Sequence, residues 1–349
     1  MAAAIIHDYP HRVAGHCGSG ALRDLMEWAA LGWDGAPEEG LVFGLSGGLS
    51  FLYTRAPGLK PPIYVVGRNA DVEQNVCRRL GITATARRTD NPDEGWRWIT
   101  EELDAGCPVL IHADIAELPY LRVRLSNTRH SIVVVGYDEG RGVAWLADND
   151  RETIQEVPLD ALARARNSQG FPDPNRHAAL LLRFPRRLPD LLTVARDAAA
   201  EAARHMRQGT GSLFDPNVLP AGALTATGLE GVRTFAQDIA AWPEIFDDGT
   251  LTASVRAIPV FVEKAGTGGG LFRRLQAGFC AEVARLTGDA GFHDAAIAYR
   301  HCADAWSHLA NQTRLEAPDP AGIADAAARL PDAEENAVRG LEKVASKPS

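Results

Sequence analysis

The first residue that could do chemistry is a cysteine at the predicted start of a helix. Cys17 stands in the segment "AGHCGSGALRDLMEW" (14–28), and apolar residues recur at helical spacing from Ala21 onward. Unpaired backbone N–H groups and the helix dipole stabilise negative charge at a helix N terminus, so a thiolate is favoured there. Cys17 is therefore a candidate nucleophile, whereas a structural cysteine would suit the helix interior better.

A nucleophilic cysteine needs a histidine as its base and a third group that orients the histidine. His130 opens a predicted strand over 129–139, and Asp148 ends a second predicted strand over 141–150. A short Glu-Gly-Arg turn should join the two strands as a hairpin, which would make His130 and Asp148 neighbours. Asn149 is an alternative orienting residue, because its side chain can also accept from an imidazole N–H. The order Cys, His, Asp or Asn is that of papain-like folds.

The elements around these residues indicate a mixed first half and a helical second half. The first half has predicted helices over 71–81, 96–106 and 159–167, and predicted strands over 61–67, 107–114 and 177–185. After 185–190 the sequence becomes Ala-rich and amphipathic, and almost all of it is predicted helix. We therefore expect an α+β fold, with a papain-like domain over residues 1–187 and a mostly α-helical domain over residues 188–349.

Composition argues against several classes of protein. The net charge is −9 at pH 7, whereas nucleic-acid binders are more often basic. No apolar run is long enough for a membrane span, and the N terminus lacks the pattern of a signal peptide. The five cysteines are odd in number and form no CxxC pair, which argues against a disulfide framework and a zinc site. We expect a cytoplasmic enzyme that binds no metal, nucleic acid or membrane.

Several segments together resemble a known family over nearly the whole chain. In the first half they are "HDYPHRVAGHCGSGALRDL", "LVFGLSGGLSFLY", "RHSIVVVGYD" and "WLADND". These look like the N-terminal domain of the butirosin biosynthesis protein H family. In the second half, "VEKAGTGGGLFRRLQAGF" and "YRHCADAWSHLA" look like the uncharacterised helical domain that commonly follows it.

The resemblance implies an activity and a set of roles. The best-understood member of the family moves an aminoacyl group from an acyl-carrier-protein thioester onto an aminoglycoside amine. For this chain, the resemblance implies Cys17 as nucleophile, His130 as base and Asp148 as its orienter, in natural-product biosynthesis. The donor would be an acyl carrier protein or an acyl-CoA-like thioester, with phosphopantetheine as part of that substrate and no other cofactor. The acceptor would be a small-molecule amine, and the oligomeric state, including a homodimer, stays open.

Two other classes of function fit the same residues. A cysteine hydrolase (a peptidase, amidase or thioesterase) would use the same triad, and it differs from a transferase in the access of water to the acyl-enzyme. A binding protein with a degenerate site is a third alternative, although the presence of all three triad residues argues against it.

Residues near the cysteine are candidates for the oxyanion hole or for substrate contact. The Cys17 backbone N–H is the default oxyanion donor. Leader peptidases that resemble this domain place a glutamine six residues before the cysteine, and His11 stands at that position here. His16 and Asn149 are further candidates. Ser46 fits a G-x-S-x-G nucleophile elbow, but the strand-like residues after it favour a Gly-rich turn that lines a pocket.

The segment "GTGGGLFRRL" (266–275) is predicted as a loop that opens a helix. Free N–H groups at such a position, together with nearby cations, could hold the phosphate of a pantetheine arm or contact a carrier protein. The candidate contacts are Gly268, Gly269, Arg273 and Arg274. The alternative is a tight interhelical turn.

A basic segment precedes the candidate base. Arg122, Arg124 and Arg129 occur within "YLRVRLSNTRH" (120–130). A basic rim beside the active site would suit an acidic carrier protein. A solvated loop is the alternative.

Overall fold

The computed structural model describes residues 2–211 and 222–346. It divides the chain into two compact units. The first unit joins Met1–Pro37 to Leu80–Leu188, and the second joins Glu38–Arg79 to Pro189–Ser349. The first domain therefore does not run unbroken over residues 1–187, because residues 38–79 belong with the second half of the chain.

The described strands and helices follow one another as listed here in chain order. The strands are β1 (Ala3–Ile5), β2 (Leu49–Arg55), β3 (Ile63–Arg68), β4 (Thr83–Arg87), β5 (Val109–Ala113), β6 (His130–Asp138), β7 (Val143–Ala147), β8 (Gln155–Pro158), β9 (Ala179–Arg183) and β10 (Leu224–Thr227). The helices are α1 (Cys17–Trp28), α2 (Glu39–Leu45), α3 (Val72–Leu80), α4 (Pro92–Asp104), α5 (Leu159–Ala165), α6 (Leu191–Gln208), α7 (Gly228–Ile245), α8 (Asp248–Pro259), α9 (Arg273–Thr287), α10 (Ala290–Gln312), α11 (Pro320–Ala328) and α12 (Leu330–Ala345). A short 3₁₀ turn spans Ile115–Glu117, and a π-helical turn spans Val260–Lys264.

The first unit is built on an antiparallel sheet of seven strands. Their order is β4-β9-β5-β6-β7-β8, and β1 pairs with the far half of β6. The central strand β6 is buried along nearly its whole length, because its Ser-Ile-Val-Val-Val run is covered on both faces. Helices α1 and α4 both pack against β6. The sheet thus lies directly under the helix that begins with Cys17.

The predicted hairpin of β6 and β7 is present. Val133 pairs with Ala147 and Asp138 with Val143, and a register shift falls between Val134 and Gly136. The turn covers residues 139–142 rather than three residues, and its last position, Gly142, has φ +68°. That left-handed conformation suits glycine, which explains where the turn ends.

The second unit combines a small sheet with most of the helices. Its three antiparallel strands have the order β10-β2-β3. Phe51 and Tyr53 of β2 pack on Trp306 and Phe235, with ring centroids 5.6 and 5.2 Å apart. These contacts are the physical reason why residues 38–79 belong with the second half.

The α+β class and the mostly helical second half are confirmed. The strand-like residues after Ser46 do form a strand, β2, and β10 is a described strand in the region predicted as almost all helix. None of the described helices combines the length and apolar character that a membrane span requires.

Candidate active site

Cys17 is the first residue of α1, and the residue before it caps the helix. His16 has extended backbone (φ −134°, ψ 131°), and its Nδ1 accepts the Ser19 N–H at 3.2 Å. An N-cap side chain that accepts from the third helical N–H satisfies a donor that has no partner within the helix. The role of His16 visible here is therefore to fix where α1 begins, and thus where Cys17 sits.

The segment before α1 is fastened to the end of the hairpin by two hydrogen bonds. Ala14 N–H donates to the Asn149 carbonyl at 3.0 Å, and Asn149 Nδ2 donates to the Ala14 carbonyl at 2.9 Å. Gly20 allows the close approach, since a Cβ built there would lie 2.5 Å from the Ala14 Cβ. The side chain of Asn149 is thus used to hold the approach to Cys17 rather than to orient an imidazole.

His130 and Asp148 form a buried pair at the adjacent ends of β6 and β7. His130 Nε2 lies 2.8 Å from Asp148 Oδ2, and the Asp148 side chain has no exposed surface. The Tyr120 hydroxyl donates to the same carboxylate oxygen at 2.6 Å. Asp150 N–H donates to Oδ1 at 3.1 Å. The carboxylate is therefore held by three donors from three separate positions of the chain.

The charges of this pair support each other. Burial opposes protonation of the His130 ring, but the charge and hydrogen bond of Asp148 and the contact with Cys17 raise the pKa of His130 well above its ordinary value. Burial likewise opposes ionisation of Asp148, but the His130 charge and the hydrogen bonds from His130 and Tyr120 lower the pKa of that carboxyl. Each partner therefore favours the charged form of the other.

The thiol of Cys17 lies on the other side of the imidazole. Because Nε2 faces Asp148, Nδ1 is the ring nitrogen left for the thiol, whose interaction with His130 contributes to the raised pKa of the ring. The sulfur is also 3.9 Å from the Arg129 carbonyl, and the residue is half-buried. An imidazolium and a helix N terminus at one sulfur atom are the two features that favour a thiolate.

Three of the other four cysteines are buried, unlike Cys17. Burial raises the pKa of Cys77 to about 12, and it also raises the pKa of Cys280 and Cys302. Cys107 is half-buried, like Cys17, and its sulfur lies 3.9 Å from the Ala105 carbonyl. Cys107 is therefore a natural control for any reagent that reaches Cys17.

His11 lies close to the same region but uses both ring nitrogens for structure. Its Nδ1 is 3.0 Å from Asp24 Oδ2, and its Nε2 is 2.9 Å from the Arg151 carbonyl. Both partners are acceptors, so the ring must donate from both nitrogens. Burial lowers the pKa of His11, but the Asp24 and Arg151 hydrogen bonds outweigh it and raise the pKa. Neither nitrogen is therefore left to act in an oxyanion hole.

Ser46 lies in the second unit, as a fully buried cap at the end of α2. Its Oγ donates to the Phe43 carbonyl at 2.6 Å and accepts the Gly48 N–H at 2.8 Å. A helix precedes Ser46 and a strand follows it, which reverses the order that a nucleophile elbow needs. The G-x-S-x-G match is thus a turn within the packed interior.

The glycine-rich loop, 266–275, is also in the second unit, where it packs against neighbouring elements as well as against itself. Gly269 N–H donates to Thr267 Oγ1 at 3.1 Å, and a Cβ on Gly268 would lie 2.6 Å from the Leu275 side chain. The Arg273 side chain is completely buried, and Arg274 pairs with Asp304 at 3.3 Å. These contacts are those of a tight interhelical turn, the second of the two interpretations given above. Because the Arg273 guanidinium is completely buried, a phosphate group in solvent cannot reach it.

Tyr120 and Arg151 also belong to the site, although no pattern in the sequence indicates them. Arg151 Nη2 donates to the Tyr120 carbonyl at 2.7 Å, and its guanidinium lies 5.8 Å from the centre of the Tyr120 ring. Tyr120 lies in an irregular segment after β5, where no periodicity or spacing connects it to Asp148. A pairing of this kind becomes visible only once the chain is folded.

Two comparisons with known proteins bear on this site. A family model described as butirosin biosynthesis protein H, N-terminal, matches residues 16–149, and a model for a domain of unknown function (DUF4872) matches residues 160–341. No curated protein matches the chain. The first match runs from the cap of α1 to the residue after Asp148, so it includes the whole Cys17, His130 and Asp148 arrangement. Within residues 2–211 and 222–346, no cluster of three or more His, Cys, Asp or Glu is placed to hold a metal ion.

Proposed function

Because the chain belongs to the family of butirosin biosynthesis protein H, we propose that it is an acyltransferase of natural-product biosynthesis with Cys17 as its nucleophile. The donor is a thioester of an acyl carrier protein or an acyl-CoA-like molecule, and the acceptor is a small-molecule amine. One observation carries the proposal: the buried His130–Asp148 pair, 2.8 Å apart, adjoins a thiol at the start of a capped helix. The packing of α1 on the antiparallel sheet supports a papain-like fold for the first unit.

In the first step the acyl group moves from one sulfur to another. The Cys17 thiolate attacks the thioester carbonyl and forms a tetrahedral adduct. The adduct collapses when the carbon–sulfur bond of the donor breaks, and the departing pantetheine thiolate takes the proton that His130 holds on Nδ1. Because one thioester replaces another, this step needs little driving force. Cys17 then carries the acyl group.

In the second step the acyl group moves from sulfur to nitrogen. The amine attacks the acyl-enzyme carbonyl, and the neutral His130 accepts a proton from the nitrogen. Collapse breaks the bond to Cys17 Sγ and releases an amide together with the thiolate. The imidazolium that His130 regains is stabilised by Asp148, as in the resting pair. No redox partner is consumed in either step.

A surface loop of the first unit supports a carrier protein as donor. It follows Tyr120 and alternates cationic with aliphatic side chains, and all four residues from Arg122 to Leu125 are exposed. Leu125 is 73% exposed and Val123 41% exposed. The same segment continues to Arg129, whose carbonyl contacts the Cys17 sulfur. A loop with exposed cations and apolar side chains next to the thiol suits an acidic protein that delivers a thioester.

The experiment that tests this function is intact-protein mass spectrometry after incubation with a panel of acyl-pantetheine thioesters. The wild-type protein should gain the mass of one acyl group, and Cys17→Ala should gain none. Cys107→Ala is the matched control, because its thiol is also half-buried, and it should be acylated like the wild type.

Addition of candidate amines to the acylated protein then separates transfer from hydrolysis. Loss of the adduct with formation of an amide supports the transferase. Loss of the adduct to free acid at the same rate with and without every amine would instead indicate a cysteine hydrolase. If no thioester of the panel acylates the wild-type protein, the proposal fails.

A further inference from the structure

A cavity of about 790 Å³ opens within the second unit, far along the chain from the triad residues. Its walls come from the C-terminal half of α7, from α8 and the π-helical turn that continues it, and from the segment that leads from α10 into α11. Cavities of this size are typical of small-molecule sites.

The floor of the cavity is apolar and held in place. Trp242 has no exposed surface and Ile239 is 3% exposed. The Trp242 indole N–H donates to Asp238 at 3.0 Å, and Asp238 also pairs with Arg55 at 2.9 Å. Trp242 and Ile239 thus form a fixed apolar layer behind the more exposed side chains that line the cavity.

The mouth of the cavity leaves apolar side chains in contact with water. Val260 is 44% exposed and Leu315 is 52% exposed, and both line the cavity. Val260 begins the π-helical turn, and π-helical turns occur frequently at functional sites. Apolar side chains exposed around a concave apolar surface indicate that a ligand covers them.

The rim carries an excess of positive charge. Arg256, Lys264 and Arg314 line the cavity, against the single acidic residue Glu316. Neither Arg256 nor Lys264 forms an ion pair with any residue in the described ranges, although ion pairs are frequent elsewhere on this unit. A ligand that complements this site has an apolar body for the floor and one negative group for the rim.

We infer that this cavity binds an amphipathic carboxylate, with its apolar chain against Val255, Val260 and Leu315 and its acid group between Arg256 and Lys264. The inference concerns the second unit alone and does not depend on the chemistry proposed for Cys17.

Isothermal titration of the full-length protein with decanoate, below its micelle concentration, tests the proposal. Decanoate should bind saturably at one site. Decanol lacks the charge and acetate lacks the apolar chain, so both should bind much more weakly. The double variant Arg256→Gln, Lys264→Gln should bind decanoate on the order of tenfold more weakly, because it loses two partly exposed ion contacts.

Two further variants keep the result interpretable. Val255→Trp fills the cavity from a half-buried position and should abolish binding. Arg204→Gln removes an exposed charge on α6 outside the cavity and should leave binding unchanged. Thermal unfolding of each variant checks that it is folded.

Three results would overturn the inference. They are no saturable binding of decanoate to the wild type, binding of decanol as tight as that of decanoate, and wild-type binding by Val255→Trp. A fourth result would also overturn it and would identify a second copy of the chain as the occupant. In that case the protein would be a dimer that decanoate does not dissociate and that Leu315→Glu converts to monomer.

Discussion

The carboxylate of Asp148 is shared between an imidazole, a phenol and a backbone N–H. Its charge holds the proton on His130 against the effect of burial. The Tyr120 hydroxyl occupies the same oxygen as the imidazole, so it limits how the carboxylate can turn. At the scale of single residues, the site therefore depends on Asp148 for both charge and orientation.

Replacement of Asp148 by asparagine should lower the pKa of His130. The charge that raises the pKa is removed while burial, which lowers it, stays. The wild type keeps its imidazolium at pH values above the ordinary pKa of histidine, whereas the variant should lose it at a lower pH. We also expect the rate of acyl transfer to fall on the order of 10³- to 10⁴-fold, as when the orienting acid of a triad is replaced by its amide. Imidazole NMR across a pH titration and steady-state rates measure the two effects.

Asp150→Asn is the matched control for that change. Asp150 is exposed and its backbone N–H, not its side chain, donates to Asp148. Its replacement should leave the His130 titration where it is. An unchanged titration in Asp148→Asn would contradict the assignment of the raised pKa to Asp148.

His11 is a second titrating residue, and its role is in stability. Both of its ring nitrogens face acceptors, which favours the doubly protonated ring and raises its pKa in the folded protein. A raised folded pKa contributes stability that is complete below the unfolded value, about 6.5, and is lost as pH rises through the folded value.

His11→Gln should therefore destabilise the protein more in acid than in base. We expect a loss of about 1–2 kcal/mol near pH 5.5 and a smaller loss near pH 9, since the charge-assisted hydrogen bonds exist only for the protonated ring. Denaturant unfolding at the two pH values measures the difference. The exposed His7 provides the control variant His7→Gln, which should show no such trend. Equal losses at both pH values would mean that folding does not raise the pKa of His11.

At the scale of elements, the start of α1 determines where the thiol lies. The helix begins at Cys17 because His16 adopts extended backbone and accepts the Ser19 N–H. The Asn149 bonds to Ala14 then fix this start against the end of β7, one residue from Asp148. The His16 cap and the two hydrogen bonds between Ala14 and Asn149 thus align α1 with β7, although the two elements are far apart in the sequence.

Two substitutions of His16 separate a capping role from a chemical one. His16→Ala removes the cap and should cost about 1 kcal/mol of stability and slow the acylation of Cys17. Asparagine caps helices well, so His16→Asn should retain both. Thermal unfolding and the rate of acylation by a reactive acyl-pantetheine are the measurements. If His16→Asn keeps its stability but loses acylation, His16 acts on the thiol through its imidazole rather than through the helix.

At the scale of the whole molecule, a buried ion pair ties the interrupted second unit together. Arg273 lies 2.7 Å from Glu334 Oε1, and neither side chain has exposed surface. Arg273 also donates to the Leu271 and Gly67 carbonyls at 2.7 and 3.3 Å. Its guanidinium carbon lies 5.8 Å from the centre of the Trp306 ring. Residues from both parts of this unit therefore meet at one cation.

Adjacent arginines offer a matched test of that role. Arg273→Met leaves Glu334 buried without its partner and should lower the free energy of unfolding by about 3–5 kcal/mol. Arg274→Met removes a half-exposed arginine and should cost less than about 1 kcal/mol. Calorimetric unfolding of both variants measures the contrast. Similar losses in the two variants would show that Arg273 does not hold the unit together.

Much of the local structure follows from the sequence because it depends on local patterns. The apolar spacing after Cys17 predicts a helix, and the two strands around a glycine turn predict a hairpin with His130 and Asp148 at its adjacent ends. The alanine-rich amphipathic pattern predicts a helical second half. Each of these patterns involves residues within one element or one turn.

Only the tertiary structure decided which elements pack together. The pattern of Phe51 and Tyr53 in β2 indicates a buried strand, but it does not say that the covering rings are Phe235 and Trp306, so the division of the chain could not be read from it. In the same way, His11 stands six residues before Cys17, the spacing of an oxyanion residue. Its two ring nitrogens are nevertheless bonded to Asp24 on α1 and to the carbonyl of the distant Arg151. Periodicity encodes how deeply a residue is buried, whereas the identity of its partner depends on contacts between distant segments that form only on folding.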